Sequence, residues 1–454
     1  MAYNDTALQA DIKRVIHSNS QVYSTYTIEI HCGTSTTVIT PLKLLSIDTL
    51  HDYEKGFAEE KQIEVILVEN DYQSYIFPNR DNLKITIIRS PIGVVSDSKN
   101  YNGVNTAKTY RATLVDPSPA RTNEGKGFAS AQGDYSSQMM ISVKFQLIDL
   151  AVEQMMLTST GGIFRNSTPG NTLKALLTTL SQGLKLDDAD AVKGVNMVDA
   201  DNIKQRTHLL VDQGTKLYDL ADHIHQNCGG IYNTGVSCYY HANYWHVFPP
   251  YDVTRINKST KTMTIMLVRT PELPDSDNTY LQDGNTLYVV SNGATLHIDQ
   301  VDHQAVNSGN GVRYARATDL FDNFIDTTKQ AMTTSTANVL NAFITNKRDS
   351  GLSNAPFSKN RVTDNDCLEL SKLSQRQGQQ IQVQWDKADP SLIIPGMPVK
   401  VLYESERLVY QLVGTILNVQ SQVRMNQPGM TTTRYVTGVS MTLFVTVDKT
   451  STAA

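Results

Sequence analysis

The sequence predicts a mainly β protein of the α+β class, in which two β modules flank a mixed α/β middle region. Three observations lead to this prediction: strand-like runs in the first third, leucine stripes at helical spacing in the middle, and long strand-like runs at the end. Abundant Tyr, Ser and Thr also favour β structure. With 454 residues, the chain is long enough for about three domains.

The first β module is predicted over residues 21–148, after a helical segment over residues 1–20. Its strand-like runs are YSTYTIEI, KQIEVILVE and NLKITIIR, separated by polar turns. In the third run Leu83, Ile85 and Ile87 lie on one face, because successive side chains of a strand point to opposite sides. We therefore expect that face to line a core.

A long segment rich in Gly, Ser and Asn, residues 96–138, interrupts this module. A short strand is predicted within it, at KTYRATLV. Long loops inside a compact domain are more often functional or interfacial than idle. We therefore predict an extended loop on either side of this strand.

The middle region is predicted over residues 149–260 and contains three helices. The strand MISVKFQLI leads into the first helix, DLAVEQMML. The second, NTLKALLTTLS, has leucines at i, i+3, i+4 and i+7, the stripe of a helix packed on a core. The third, TKLYDLADHIHQNC, repeats this pattern, with Thr215 as its expected N-cap and Gly229–Gly230 as its stop.

Strands return after this region. The runs TMTIMLV, NTLYVVS and ATLHID and a threonine-rich helix over 317–345 form an accessory or inter-barrel region, residues 261–350. The last part, residues 351–454, contains PGMPVKVLY, RLVYQLVGTILNVQSQV and TTTRYVTGVSMTLFVTVD. These runs predict a meander that closes a second barrel or a small sandwich.

The segment from His223 to Asp252 is dense in His, Cys and aromatic residues, which raises the question of a zinc site. Cys228, Cys238, His241 and His246 are suitable ligand types. However, Cys228 extends the apolar stripe of the third helix, and alternation places Cys238 and His241 on opposite faces of a strand. No metal site is therefore predicted.

The two histidines of the third helix are also not predicted to bind a metal. His223 and His225 are two positions apart and so point to different sides of the helix. A solvated side chain is the expectation for each. A protonated His225 would be favoured by the C-terminal end of the helix dipole.

The rest of the segment from His223 to Asp252 predicts a compact α/β structural unit. It consists of a helix, strands around an Asn-Thr-Gly turn, an aromatic strand, and a stop at Pro249 and Pro250.

Motifs of catalysis and cofactor binding are absent from the sequence. It has no G-x-S-x-G elbow, phosphate-binding loop or H-E-x-x-H motif, and no dinucleotide-binding glycine pattern. The acidic run over 186–192 lacks the glycine and glutamate of an EF-hand, so a solvated loop is predicted. A Cys–His hydrolase pair that uses Cys367 or Cys228 stays open, although nothing in the sequence orients one.

The bulk composition narrows the class of protein further. A net charge of −5 gives no basic footprint for tight nucleic-acid binding. The N-terminus lacks the apolar stretch of a secretory signal, and no run approaches 18 apolar residues, so no membrane insertion is expected. Four cysteines in this length do not form a disulfide framework, which favours folding in a reducing cytoplasm.

Four stretches in a fixed order resemble the baseplate (tail) hub proteins of tailed bacteriophages, which are related to the spike hub of type VI secretion. They are the N-terminal strands, MISVKFQLIDLAVEQMM, the segment from LLVDQGTKLYDL to HVFPPYDVTR, and IIPGMPVKVLY with YQLVGTILNVQ. The third stretch is the most distinctive, since it matches a helix, a Gly-hydrophobic-Tyr hairpin and a Trp-x-Val-x-Pro strand. Its matching positions are Gly230, Ile231, Tyr232, Trp245, Val247 and Pro249. In the fourth stretch the matching positions are Gly396, in the turn before a strand, and Gly414, in the next strand.

The resemblance implies a homotrimeric structural protein of the virion tail, assembled in the host cytoplasm. Each chain would supply two tail-tube-like barrels, so that three chains form a pseudo-sixfold ring. That ring would join a hexameric tail tube protein to a trimeric central spike protein and contact other baseplate proteins. Its channel would let DNA or a tape-measure protein pass. No enzyme activity, cofactor or metal is implied.

The residues expected to matter are therefore assembly and core residues. The strands KITII and VKVLY are expected to carry contacts with other subunits or the tube, and Trp245 and Tyr232 to anchor the core of the middle region. The alternatives are another tail component, such as a tube terminator or fibre-attachment protein, and a zinc-dependent or cell-wall hydrolase. The expected assembly and core residues are, in full, Ile85, Ile87, Gly230, Tyr232, Trp245, Val247, Pro249, Gly396, Val399, Val401 and Gly414.

Overall fold

The fold comes from a computed structural model, which describes residues 5–18, 23–33, 37–92, 106–115, 140–268, 278–291, 293–297, 312–313, 353–354, 371, 374–375, 378–405, 408–426 and 434–447. The predicted helix over 317–345, Cys367 and most of the predicted loop over 96–138 lie outside these residues. The short strand predicted inside that loop is present as a strand from Thr106 to Leu114.

Strands outnumber helices along the described part of the chain. The helices are α1 (Asp5–Ile16), α2 (Glu69–Asp71), α3 (Leu150–Leu157), α4 (Pro169–Gln182) and α5 (Leu220–Asn227). The strands are β1 (Ser24–Cys32), β2 (Val38–Ile39), β3 (Lys43–Asp52), β4 (Glu60–Val68), β5 (Leu83–Pro91), β6 (Thr106–Leu114), β7 (Met140–Asp149), β8 (Ser159–Ser167), β9 (Gly194–Met197), β10 (Arg206–Lys216), β11 (Ser237–His241), β12 (Tyr244–Phe248), β13 (Thr262–Leu267), β14 (Tyr280–Asp283), β15 (Thr286–Ser291), β16 (Gly293–His297), β17 (Val312–Arg313), β18 (Ser353–Asn354), β19 (Gln379–Trp385), β20 (Pro398–Ser405), β21 (Leu408–Met425) and β22 (Tyr435–Val447).

One large mixed sheet dominates the structure, which confirms the mainly β prediction. In the described part of the chain this sheet has 15 strands, and it includes strands from both ends of the sequence. The two β modules, predicted as separate, are therefore parts of one sheet. The connection is made by β21 and β22, which pair with each other and with strands of the first module.

The first group of strands follows a closed path of pairings. In order, the path is β1, β5, β6, β7, β4, β3, β21, β22 and back to β1. The side chains inside it form one apolar core that includes Ile30, Ile63, Ile85 and Phe145. Tyr435 of β22 joins this core, and its hydroxyl donates to the carbonyl of Leu44 at 3.0 Å.

The second group encloses a separate core. Its path runs from β15 through β13, β20, β21, β22 and β19 to β16, and β16 follows β15 in sequence after one residue. This core contains Ile265, Val289, Val383, Val399 and Met441. The range predicted as an accessory or inter-barrel region therefore contributes residues of β13, β14 and β15 to the second core.

The long strands β21 and β22 serve both cores. Val419 of β21 packs in the second core, whereas Val423 of the same strand packs in the first. On β22, Val439 packs in the second core and Tyr435 packs in the first. At about 3.3 Å per residue, the 18 residues of β21 reach about 60 Å, long enough to span two adjacent cores.

A glycine allows β21 and β22 to approach closely. A Cβ atom on Gly414 would lie 1.8 Å from the carbonyl oxygen of Phe444 in β22, so any side chain there would push the strands apart. We expect Gly414→Ala to lower the free energy of unfolding by about 1–3 kcal/mol, the usual cost of overpacking. The measurement is chemical denaturation. Gly438→Ala on β22 is the matched control, since a Cβ there meets nothing within 4 Å, and equal losses in the two variants would contradict this close approach.

The helix predictions have mixed outcomes. The first two helices of the middle region are confirmed as α3 and α4. The third begins later than predicted: β10 continues to Lys216, a 3-10 turn follows, and α5 starts at Leu220 with Asp219, not Thr215, as its N-cap. The extended backbone of Thr215 is held by its pairing with Thr160 of β8.

The N-terminal helical segment is present as α1. Its residues Leu8, Ile12 and Val15 pack against Met266 of β13 and Leu402 of β20, among others. This small cluster lies outside both cores. It holds the beginning of the chain against the second group of strands.

The middle region is a layered unit. A three-stranded sheet has the order β11, β12, β9, and β8 pairs with β10 in a two-stranded ribbon. Helices α3, α4 and α5 pack with these strands around a third core, which includes Leu173, Leu177, Leu217 and Ile224.

Candidate functional site in the middle region

Two glycines end α5 and start the distinctive segment. Gly229 and Gly230 have φ values of +93° and +78°, in the left-handed region that favours glycine. A Cβ on Gly229 would lie 2.2 Å from the guanidinium of Arg206. The amide of Asn202 donates to the carbonyls of both glycines, at 2.9 Å each. The predicted helix stop is therefore confirmed.

The hairpin after this stop lies further along the chain than predicted. Ile231 and Tyr232 are buried but not in a strand, so the turn at Asn233–Gly235 does not join two strands. The hairpin is formed by β11 and β12 around Ala242 and Asn243, with φ values of +49° and +66°. Two consecutive positive φ values are typical of a type I′ turn, which matches the twist of the strands.

One face of the β11–β12–β9 sheet packs on the helices. Trp245 and Val247 are buried there, and the indole Nε1 of Trp245 donates to Ser181 Oγ of α4 at 2.9 Å. The hydroxyl of Tyr232 donates to the carbonyl of Val198 at 2.6 Å. Both aromatic residues thus anchor this core with their polar groups bonded, as a buried Trp or Tyr requires.

The opposite face carries a cluster of histidine and tyrosine rings. His51 of β3 contacts His241 of β11 with 5.5 Å between ring centroids, and its Nδ1 lies 3.1 Å from the hydroxyl of Tyr239. His246 of β12 is 6.4 Å from His241. Burial lowers the pKa of each of these three histidines to about 4, so they are neutral near pH 7.

A network of charges lies beside this cluster, where the first β module joins the middle region. Lys61 Nζ donates to Glu59 Oε2 at 2.9 Å and to the hydroxyl of Tyr110 at 2.7 Å, and Lys108 forms ion pairs with Glu59 and Asp149. Burial alone would raise the pKa of Glu59, but the charges of Lys61 and Lys108 outweigh it and hold the pKa well below its usual value. Each charge of the network thus has a partner of opposite sign, as buried charges require.

The prediction of a solvated His225 is wrong. The side chain is buried, with 4% exposure, and its Nε2 contacts the hydroxyl of Ser371. The amide of Ile231 donates to Nδ1 at 3.2 Å, so Nε2 carries the proton toward Ser371 Oγ, also at 3.2 Å. Burial lowers the pKa of His225 to about 4, so the helix dipole has no imidazolium to stabilise near pH 7.

This Ser–His contact does not have the arrangement of a hydrolase. Ser371 Oγ already accepts from the amide of Gly235 at 2.8 Å and donates to the carbonyl of Tyr232 at 3.3 Å. Nδ1 of His225 accepts a hydrogen bond from the amide of Ile231, whereas in a catalytic triad this atom donates a hydrogen bond to a carboxylate. These contacts therefore tie Ser371 to the middle region. The sequence contains no signal for the contact with His225, because the two residues are far apart in the chain.

The four residues considered for zinc do not converge. Cys228 and Cys238 belong to the apolar core on the helix side of the sheet, and burial raises the pKa of both thiols. His241 and His246 lie on the other face. Throughout the described residues, no group of three or more His, Cys, Asp or Glu side chains could hold a metal ion.

The residues predicted in the β modules lie inside them. Ile85, Val399 and Val401 are fully buried in the two cores, and Ile87 packs partly buried on the first. On β5, contacts with another subunit would therefore be made by alternate residues such as Lys84, whereas the alternate residue Leu402 of β20 is buried under α1.

The predicted glycine and proline positions are also in close-packed places. Gly396 has a φ of +69°, and a Cβ there would lie 2.4 Å from the ring of Phe248. Pro249 is buried directly after β12. These residues fix how the middle region meets the second group of strands.

No protein-family model matches this chain, and no curated protein matches it in sequence. The described helices include none long and apolar enough to cross a membrane.

Several solved structures are similar to the chain. The tail protein from Neisseria meningitidis MC58 has 10% identity and a TM-score of 0.47, over 92% of this chain and 96% of that one. The 43 kDa tail protein of prophage MuSo2 from Shewanella oneidensis has 11% identity and a TM-score of 0.48, over 92% and 97%. The E. coli c3393 protein, a type VI secretion component, has 8% identity and a TM-score of 0.39, over 91% and 76%. The chain is thus similar to phage tail and type VI secretion proteins.

Proposed function

We propose that this protein is a structural subunit of a phage tail, and that three copies form the hub between the tail tube and the central spike. One observation carries the proposal: a single chain builds two adjacent strand paths, each around its own core, with β21 and β22 shared between them. We interpret each path as a barrel. The sequence resemblance to baseplate hub proteins supports the same function.

Symmetry is the physical reason why two barrels in one chain suit a hub. A trimer in which each chain supplies two similar barrels presents six barrels to a hexameric tube while keeping threefold symmetry toward a trimeric spike. Such a ring needs the two barrels of a chain to be held in a fixed relation. The shared strands β21 and β22 meet this need, because a hydrogen-bonded pair is much stiffer than a flexible linker.

The division of the chain into domains is part of the proposal. The first barrel would comprise residues 21–148 together with parts of β21 and β22, and the middle region residues 149–260. The second barrel would comprise the strands of 261–454. The helical segment over 1–20 would brace that barrel from outside.

The partners in the virion follow from this arrangement. They would be the tail tube protein, the spike protein and other baseplate proteins, while DNA or a tape-measure protein passes through the central channel. The net charge of −5 suits a channel that does not hold DNA tightly, since phosphate binding uses basic residues.

The test is the mass of the purified protein in solution by light scattering, with zinc content determined on the same sample. Three chains of 50.4 kDa give about 151 kDa, and we expect this mass without zinc. A monomer that contains zinc would contradict the hub and support the hydrolase alternative.

A further inference from the structure

A cationic groove lies between the middle region and the second group of strands. We define it by the basic side chains Lys174, Arg255, Lys258 and Lys261, which line a cavity of about 660 Å³ with the turn at Gly396 on one side. The described residues that line this cavity include no carboxylate. Four positive charges without a negative one make a binding site for an acidic group.

Arg255 is the buried centre of this groove. Its side chain is only 9% exposed, and its Nη1 donates to the carbonyl of Gly396 at 2.9 Å. Its guanidinium lies 5.7 Å from the centre of the Phe248 ring. Within the described ranges, Arg255 forms no ion pair in direct contact with a carboxylate; burial lowers its pKa, although the charge of Asp252 acts in the opposite direction. A buried cation without a carboxylate in direct contact is costly, so a carboxylate that entered the groove would be bound strongly.

The rest of the lining favours a polypeptide as the ligand. Ile394, Met397 and Pro398 give the groove an apolar side next to its charges. Phe248, the aromatic ring of the lining, is 2% exposed and covered by Arg255, so it gives no platform for stacking a nucleic-acid base. The groove therefore fits a short acidic segment of a protein.

This chain has a short acidic segment near the start of β9, at the opposite end of the β11–β12–β9 sheet from the groove. The acidic loop, which we define by Asp187 and Asp188, is exposed and joined to the β11–β12 turn by a bond from Asn243 Nδ2 to the carbonyl of Ala189 at 2.7 Å. It precedes β9, whereas the groove lies where β9 and β12 end. A loop and a groove at opposite ends of one sheet can join copies head to tail, the kind of contact that closes a ring.

We propose that the acidic loop of one copy binds in the cationic groove of the next copy. This inference rests on the proposed trimeric hub and assigns the residues of one contact within it. A carboxylate of the loop supplies the counter-ion of Arg255, and Lys258 and Lys261 hold the loop from the rim.

The experiment exchanges the charges of the two surfaces. Lys258→Glu with Lys261→Glu makes the rim of the groove negative while Arg255 and Lys174 stay positive, Asp187→Lys with Asp188→Lys makes the loop positive, and a quadruple variant carries all four changes. We expect each single-surface reversal to raise the concentration needed for assembly about 100-fold or more, because like charges at an interface cost several kcal/mol. The quadruple variant again places opposite charges at the rim but leaves Arg255 without a loop carboxylate, so it is expected to recover about 10-fold of the loss seen in either single-surface variant. Light scattering over a dilution series gives these values.

The matched control is Lys13→Glu with Lys55→Glu, which makes the same change in net charge on exposed side chains outside both surfaces. It should assemble like the wild type. All of the exchanged residues are exposed, and a thermal melt of each variant checks that it is folded.

The outcomes separate this contact from the hub itself. A wild type that is not a trimer overturns both proposals. A trimer that either reversal leaves intact overturns the loop-in-groove contact and leaves the hub in place. If each single-surface variant weakens assembly and the quadruple variant recovers none of the loss, the pairing of these two surfaces is also overturned.

Discussion

Trp245→Ala is expected to lower the free energy of unfolding by about 3–5 kcal/mol, the cost of truncating a large buried side chain. The indole is fully buried against α4, packs 5.5 Å from the ring of Tyr240, and bonds to Ser181. The substitution leaves a cavity and also leaves the buried hydroxyl of Ser181 without this partner. Chemical denaturation followed by circular dichroism measures the loss.

Two variants on the same strand show where the loss comes from. Trp245→Phe keeps most of the volume but loses the bond to Ser181, so it should cost less than the alanine variant. Tyr244→Ala removes a neighbouring ring that is only partly buried, so it should lower the free energy of unfolding by less than Trp245→Phe does. If Trp245→Ala and Tyr244→Ala lowered stability equally, the placement of Trp245 in the core would be wrong.

Acidification is expected to destabilise the protein between pH 6.5 and pH 4. His51 and His225 have a pKa near 4 in the folded state and near 6.5 when unfolded, because burial disfavours the imidazolium. The unfolded state therefore binds more protons as the pH falls through 6.5. The loss is complete below pH 4, at about 3 kcal/mol for a histidine shifted this far. Above pH 6.5 these histidines contribute no pH dependence.

The measurement is the free energy of unfolding at several pH values from 8 to 4. His225→Gln should lower stability at pH 8, where the neutral ring bonds to Ile231 and Ser371, and the difference from wild type should shrink as the pH falls to 4. His208→Gln, at an exposed position, should run parallel to the wild type. A wild type equally stable at pH 8 and pH 4 would contradict the burial of neutral histidines.

Local patterns predicted the parts of the fold that depend on neighbouring residues. The leucine stripe of α4 indicates which face of that helix is buried, and Leu173 and Leu177 are fully buried there. Alternation along β11 and β12 separates Cys238 from His241, which argued against zinc. Both features follow from the period of a single element and need no knowledge of distant residues.

Features made by distant residues were not predictable in this way. His225 has the spacing of a partly exposed helical residue, but it is buried and its ring contacts Ser371, which is 146 positions further along the chain. The runs that form β21 and β22 indicate strands, yet nothing in them shows that Val419 and Val423 enter different cores. The ribbon of β8 and β10 was also missed, since glycines weaken its strand pattern.

Electron microscopy of the purified assembly, viewed along its symmetry axis, tests the hub most directly. We expect a ring of six barrel profiles around a channel, with threefold symmetry, two profiles belonging to each of three chains. A ring with any other number of barrels, or a particle with one chain and no channel, would contradict the proposed hub.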